Sequence, residues 1–135
     1  MKKIFSALIL LTLCGIFNFC SAYDYDSDPD YIYVIYGDMG CYYLYAPSVD
    51  VQEYNPPHYQ IAGHFIHYGG SDGKTLTNIY KTIRFNFYTK ETFSRNDYGN
   101  WEKDDVNGEW KIPRQNRQFA DALFRAAYGI NFYGY

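Results

Sequence analysis

Three histidines, His58, His64 and His67, are the side chains of this sequence best suited to hold a metal or move a proton. Their spacing argues against both. They fall in the run from His58 to Tyr68, where Ile61 with Phe65 and Ala62 with Ile66 set out two faces of an extended strand. Side chains alternate across a strand, so His64 and His67 point to opposite faces and cannot converge on one ion. His58 follows Pro56 and Pro57 and reaches the others only by folding back. The acidic runs are no better placed. Tyr-Asp-Tyr-Asp-Ser-Asp-Pro-Asp, residues 23–30, imitates a calcium loop but has Pro29 where the turn needs glycine and Ile35 where a bidentate Glu belongs. Asp104, Asp105 and Glu109 surround Asn107-Gly108, a strong turn dipeptide, and read as a solvated turn between two buried tryptophans, Trp101 and Trp110. Gly69-Gly70-Ser71-Asp72-Gly73-Lys74-Thr75 resembles a phosphate loop but is one residue short, and the pattern after it, Leu76 to Thr89, is that of a strand. No zinc-protease helix motif, serine elbow or Cys-His arrangement with an orienting acid occurs. No cofactor or metal is expected.

What the chain does offer is tyrosine: 17 Tyr with 10 Phe and 2 Trp. Tyrosine joins a large apolar ring to a hydroxyl at low entropic cost, which suits it to contact surfaces. The cleanest alternation lies in Ile79 to Tyr88, where Ile79, Ile83, Phe85 and Phe87 share one face with Lys81, and Tyr80, Arg84 and Tyr88 share the other. The first face is expected to meet the core, with Lys81 near a strand end where its amine reaches water. Tyr80, Arg84 and Tyr88 are the candidate binding residues. The same pattern also suits the wet face of a one-sided sheet or a face covered in a dimer.

These residues need a sheet to position them. Tyr31 to Val49 reads as a β-hairpin whose loop, Gly-Asp-Met-Gly, supplies glycines for positive φ. Pro47 and Asn55-Pro56-Pro57 bracket Val49 to Tyr54, a sheet continuation or an edge. In the strand from His58 to Tyr68, Gly63 signals a bend or a closely packed neighbour. Thr89 to Thr92 makes a tight connection, without the usual glycine, into Phe93 to Arg95. Pro113 opens a helix from about Arg114 to Tyr128, ended by Gly129. Phe119, Ala122, Leu123, Ala126 and Ala127 form its apolar stripe, with Arg114, Arg117, Asp121 and Arg125 on the other side. The tail from Ile130 is aromatic and suits a sheet edge.

Residues 1–22 have the three parts of a secretory signal: Lys2 and Lys3, an apolar run from Ile4 to Phe17, and a small-residue site at Cys20-Ser21-Ala22. The run is shorter than the roughly 20 residues that span a bilayer, so no transmembrane span is expected after cleavage. Removing this leader takes the formal charge from −3 to −5 and leaves Cys41 as the one cysteine. An acidic chain with no basic stripe is a poor partner for nucleic acid. Residues 23–30 then form an acidic, poorly ordered lead-in to a single domain over residues 31–135. The expected location is periplasm, cell surface or medium.

Tyr42-Tyr43-Leu44 with Ser48-Val49 behind it, Phe87-Tyr88-Thr89-Lys90 ahead of a new strand, and Trp110-x-Ile112-Pro113 before the helix agree in order and spacing with a known group. Across most of residues 31–130 the chain resembles the small exported proteins of the surface-adhesin protein E family. Tyr45 stands where that family usually has Asp. The resemblance implies an antiparallel sheet with a C-terminal helix, pairing as a dimer, and binding of host matrix or serum proteins. No binding residues carry over, since no matching short motif is present. The resulting expectation is an α+β fold, one antiparallel sheet of five or six strands covered on one face by a C-terminal helix. The expected function is an exported, non-enzymatic binding or envelope-associated protein with a protein or envelope partner. A secreted enzyme or inhibitor is the alternative.

Overall fold

The computed structural model describes residues 23–37, 39–69 and 74–134. The leader, Asp38 of the first loop and the centre of the phosphate-loop look-alike lie outside them. Six strands follow in chain order: β1 (Tyr31–Gly37), β2 (Gly40–Asn55), β3 (His58–Gly69), β4 (Thr75–Asn86), β5 (Glu91–Arg95) and β6 (Trp101–Lys103). Each pairs antiparallel with the next, giving one sheet in the order β1-β2-β3-β4-β5-β6. The helix α1 (Lys111–Tyr128) covers one face. This is the expected α+β architecture.

The β1–β2 hairpin forms as the sequence predicts, and β2 then runs on through Pro47 to Asn55. Tyr45 lies opposite His64 and Asp50 opposite Ala62, so Ala46 to Val49 bulge out where the proline cannot donate to the ladder. The bulge is held from within: Ser48 Oγ donates to Tyr45 O at 2.6 Å and accepts from the His64 N–H at 2.8 Å. The β4–β5 turn has no glycine because Lys90 itself takes positive φ, 54°. Its Nζ donates to Phe132 O at 2.7 Å and lies 3.4 Å from the centre of the Phe87 ring, which ties the turn to the C-terminal tail.

Register assigns the faces. Ile32, Ile35, Tyr42, Leu44, Ile61, Phe65, Ile83 and Phe85 turn toward the helix and make the core with Phe119, Ala122, Leu123 and Phe124. Gly63 marks the closest approach: a Cβ there would stand 2.9 Å from Leu123 Cδ2 and 3.1 Å from Leu44 Cδ1. The expected packed neighbour is therefore the helix. Lys81, opposite Gly63, sits mid-strand rather than near an end, with its amine 5.1 Å from the centre of the Phe119 ring. Burial lowers its pKa, partly offset by Asp104.

The helix starts two residues before Pro113, which falls in the first turn, where no N–H is needed. It ends at Gly129, whose φ of 76° and N–H bond to Arg125 O make a left-handed cap. Its buried stripe is broader than the sequence pattern, taking in Ala120, Phe124 and Asp121. Asp121 was expected on the outer side. It is 7% exposed and accepts from the Tyr133 N–H at 2.8 Å, because the tail folds back beneath the helix instead of pairing at a sheet edge. Phe132 is fully buried, 5.0 Å from the Phe85 ring and 5.3 Å from that of Phe124. The two tryptophans also depart from expectation: Trp101 is half-buried on the opposite face of the sheet, and Trp110, at the helix N-cap, is 83% exposed. The segment between them is anchored by Arg117, which donates to Val106 O and, at 2.8 Å, to Gly108 O.

Two stability outcomes follow from this packing. Leu123→Ala should cost about 3 kcal/mol and Gly63→Ala about 1–3 kcal/mol. The double variant should cost less than their sum, because the cavity receives the new methyl; urea unfolding of the four proteins measures the coupling. Burial raises the Asp121 pKa, the hydrogen bonds from the tail opposing it. The unfolded chain therefore ionises first as pH rises from about 4, and stability falls until Asp121 itself ionises. Asp121→Asn, which keeps an acceptor oxygen, should abolish that slope with little loss, whereas Asp121→Ala should cost about 1–3 kcal/mol at every pH.

Candidate functional site

The face of the sheet turned away from the helix carries cross-strand rows of side chains set by the same register. One row runs Tyr31, Tyr45, His64, Tyr80; the next runs Tyr33, Tyr43, Ile66, Asn78; a third runs Tyr36, Cys41, Tyr68, Leu76. Directly opposed side chains on one face are close enough to touch. The Tyr31 and Tyr45 rings are 5.2 Å apart, and those of His64 and Tyr80 are 4.9 Å apart. Tyr25 folds down from the lead-in onto this terrace, stacked 5.2 Å from Tyr43 and tilted 5.6 Å from Tyr68. Asp24, Asp26 and Asp30 stay exposed. Tyr43 donates its hydroxyl to Asp26 at 3.1 Å; burial and that bond hold its pKa above the usual phenol range.

Toward β6 the face changes character. Here the row is Glu53, Gln60, Arg84, Phe93, Lys103, flanked by Asn55, His58, Asn86, Glu91 on one side. A groove of about 540 Å³ opens over Arg84, walled by Glu53, His58, Glu91, Phe93 and Trp101. Arg84 Nε donates to Gln60 Oε1 at 2.8 Å, and its guanidinium carbon lies 4.0 Å from the centre of the Trp101 ring. A planar guanidinium held on an aromatic face gains a cation–π contact and loses the freedom to swing. Arg95 approaches the same ring at 5.0 Å.

Of the residues selected from sequence, the structure joins Tyr80 and Arg84 and separates Tyr88. Gln60 Nε2 donates to Gln52 Oε1 at 2.7 Å, and Gln52 Nε2 donates to the Tyr80 hydroxyl at 3.3 Å, so a chain of amides links the two. Tyr88 lies beyond the end of β4 in the turn, where its N–H bonds to Asn86 Oδ1 at 3.1 Å and its ring is 84% exposed. The alternation continues past the strand on paper, but the chain has already turned. Sequence reasoning missed Gln52, Gln60 and Trp101. Gln60 could have been found by its parity with His64 on β3; Trp101 needed the β5–β6 pairing.

The histidines divide as their spacing predicts. His64 lies on the open face, bonded to Asn78 Oδ1 at 3.0 Å, and His67 lies on the helix face, stacked 4.4 Å from Tyr42. His58 shares the groove with Glu53 and Glu91, the types an acid–base site would use. Glu91 is taken up by Lys103 and Thr89, which lower its pKa. Among the described residues no hydrogen bond joins His58 to a carboxylate. Among them, too, no group of three His, Cys, Asp or Glu could hold a metal, and no helix is long and apolar enough to cross a membrane.

The stacked arginine gives an optical test. In a Trp110→Phe background Trp101 is the one remaining indole, and Arg84→Ala should red-shift its emission and raise its acrylamide quenching severalfold. No protein-family model, curated protein or solved structure matches this chain.

Proposed function

We propose that this is an exported, non-enzymatic binding or envelope-associated protein that engages its partner through the open face of the sheet, in the manner of an adhesin. The observation that supports the reading is the asymmetry of the two faces. One is sealed by the helix and the tail, and the other presents exposed rings: Tyr33 at 51%, Tyr36 at 66% and Tyr80 at 54%. Tyr, Trp and Arg are the types that concentrate binding energy at contact surfaces, and this face carries all three. The amide chain from Arg84 to Tyr80 adds donors and acceptors that are already ordered, which lowers the entropy cost of docking. The export signature and the family resemblance favour a protein or envelope partner over a small metabolite.

The test is capture. Immobilised protein should retain a component of envelope or extracellular fractions, and a Tyr80→Ala, Arg84→Ala double variant should lose at least tenfold of that retention without a change in its melting temperature. Tyr88→Ala should have little effect, because that ring stands apart from the linked pair. Undiminished capture by the double variant would overturn the reading.

A further inference from the structure

Arg84 is ordered without an ionic partner. Its Nε is used by Gln60 and its plane rests on Trp101, while its terminal amines have no hydrogen-bond partner among the described residues. Among the described residues no salt bridge joins Arg84 to Glu53 or Glu91, and Glu91 is paired with Lys103 instead. An arginine fixed at its inner nitrogen and stacked on a ring presents a preoriented two-pronged donor, the geometry that matches two oxygens of an anion.

The surroundings select the anion. Arg84 is the one permanent cation lining the groove, and Glu53 and Glu91 line it too. A singly charged carboxylate is balanced by one guanidinium, whereas a dianionic phosphate would bring an uncompensated charge toward Glu53, the groove acid that Lys103 does not pair. Beside the fork the half-buried rings of Phe93 and Trp101 offer apolar area. Sugar recognition would need a free ring face as a platform, and the Trp101 ring is already occupied by Arg84 at 4.0 Å and Arg95 at 5.0 Å. A peptide meets both conditions, with its carboxylate on the fork and a neighbouring apolar side chain against Phe93.

We propose that the groove over Arg84 is a receptor for a peptide carboxylate, a chain terminus or acidic side chain flanked by an apolar residue. This deepens the reading of the open face as a docking surface and rests on it. Glu53, in the same cross-strand row, works against the incoming charge and sets a ceiling on affinity.

N-acetyl-phenylalanine and its amide are suitable probes, titrated into the purified protein while the two indole N–H signals are followed by NMR. The acid should move the Trp101 signal and leave that of Trp110 in place, and the amide should bind at least tenfold more weakly. Arg84→Lys, which keeps the charge and loses the fork, should weaken the acid at least tenfold. Glu53→Gln should tighten it, and Arg114→Ala, a charge-matched loss at the helix, should change nothing. Equal binding of acid and amide, or an unaffected Arg84→Lys variant, overturns the proposal; tighter binding of methyl glucuronide than of the peptide acid overturns the choice of a peptide. Partner capture that persists without acid binding would remove this site and leave the docking face standing. Acid binding without capture would support the site and count against the face.

Discussion

The structure depends on one close approach. Gly63, without a side chain, lets Leu123 of the helix settle against the sheet beside Leu44, within a distance that even a methyl group would crowd. All else on that face is arranged around it: Phe65 and Tyr42 meet Phe119, Phe85 meets Phe124, and the tail returns to bury Phe132 between them. Packing at this density is intolerant of small changes in volume, so a single missing Cβ fixes both the depth and the position of the helix. It also commits one face of the sheet wholly to the core.

That commitment leaves the other face to find its own order. It does so by lateral contacts within the sheet rather than by a second layer. Tyrosines of β1, β2 and β4 line up in one row through His64, Tyr25 returns from the lead-in to cover Tyr43, and glutamines bridge Arg84 to Tyr80. Antiparallel sheets tolerate one wet face, but wet faces are commonly built from short polar and charged groups. Here large rings and a pinned guanidinium remain exposed, and their order comes from neighbours that leave their outer surfaces free. The division between a tyrosine terrace near β1 and a groove near β6 follows from register, since each row is read from strand to strand at fixed opposition.

The tail and the β4–β5 turn show how the ends of the fold are locked to each other. Lys90 adopts a left-handed conformation that glycine would reach more easily, and its ammonium is held by Phe132 O and the face of Phe87. On the far side of the same tail Asp121 takes the Tyr133 N–H. A buried carboxylate costs solvation, and the backbone N–H that it receives is the compensation. Sequence gave no warning of this pair, because helical periodicity places Asp121 with the arginines and says nothing of what the chain does after Gly129.

Much of the architecture could be read from residue pattern alone. Period-two alternation, Gly37 and Gly40, Gly129 and the Phe119–Leu123 stripe are local signals, and local sterics and burial decide what they specify: strands, a hairpin turn, a helix end and a covered face. The same alternation placed Tyr80 with Arg84 and His64 apart from His67. What required the tertiary structure was everything that depends on which strand lies beside which. The groove exists because β3, β4, β5 and β6 bring Gln60, Arg84, Phe93 and Trp101 together from 42 positions of chain, and Tyr88 falls outside it because the strand ends at Asn86. Alternation fixes a side chain's face but not its neighbours; register, set by the bulge at Pro47 and by the core beneath, is a property of the assembled sheet.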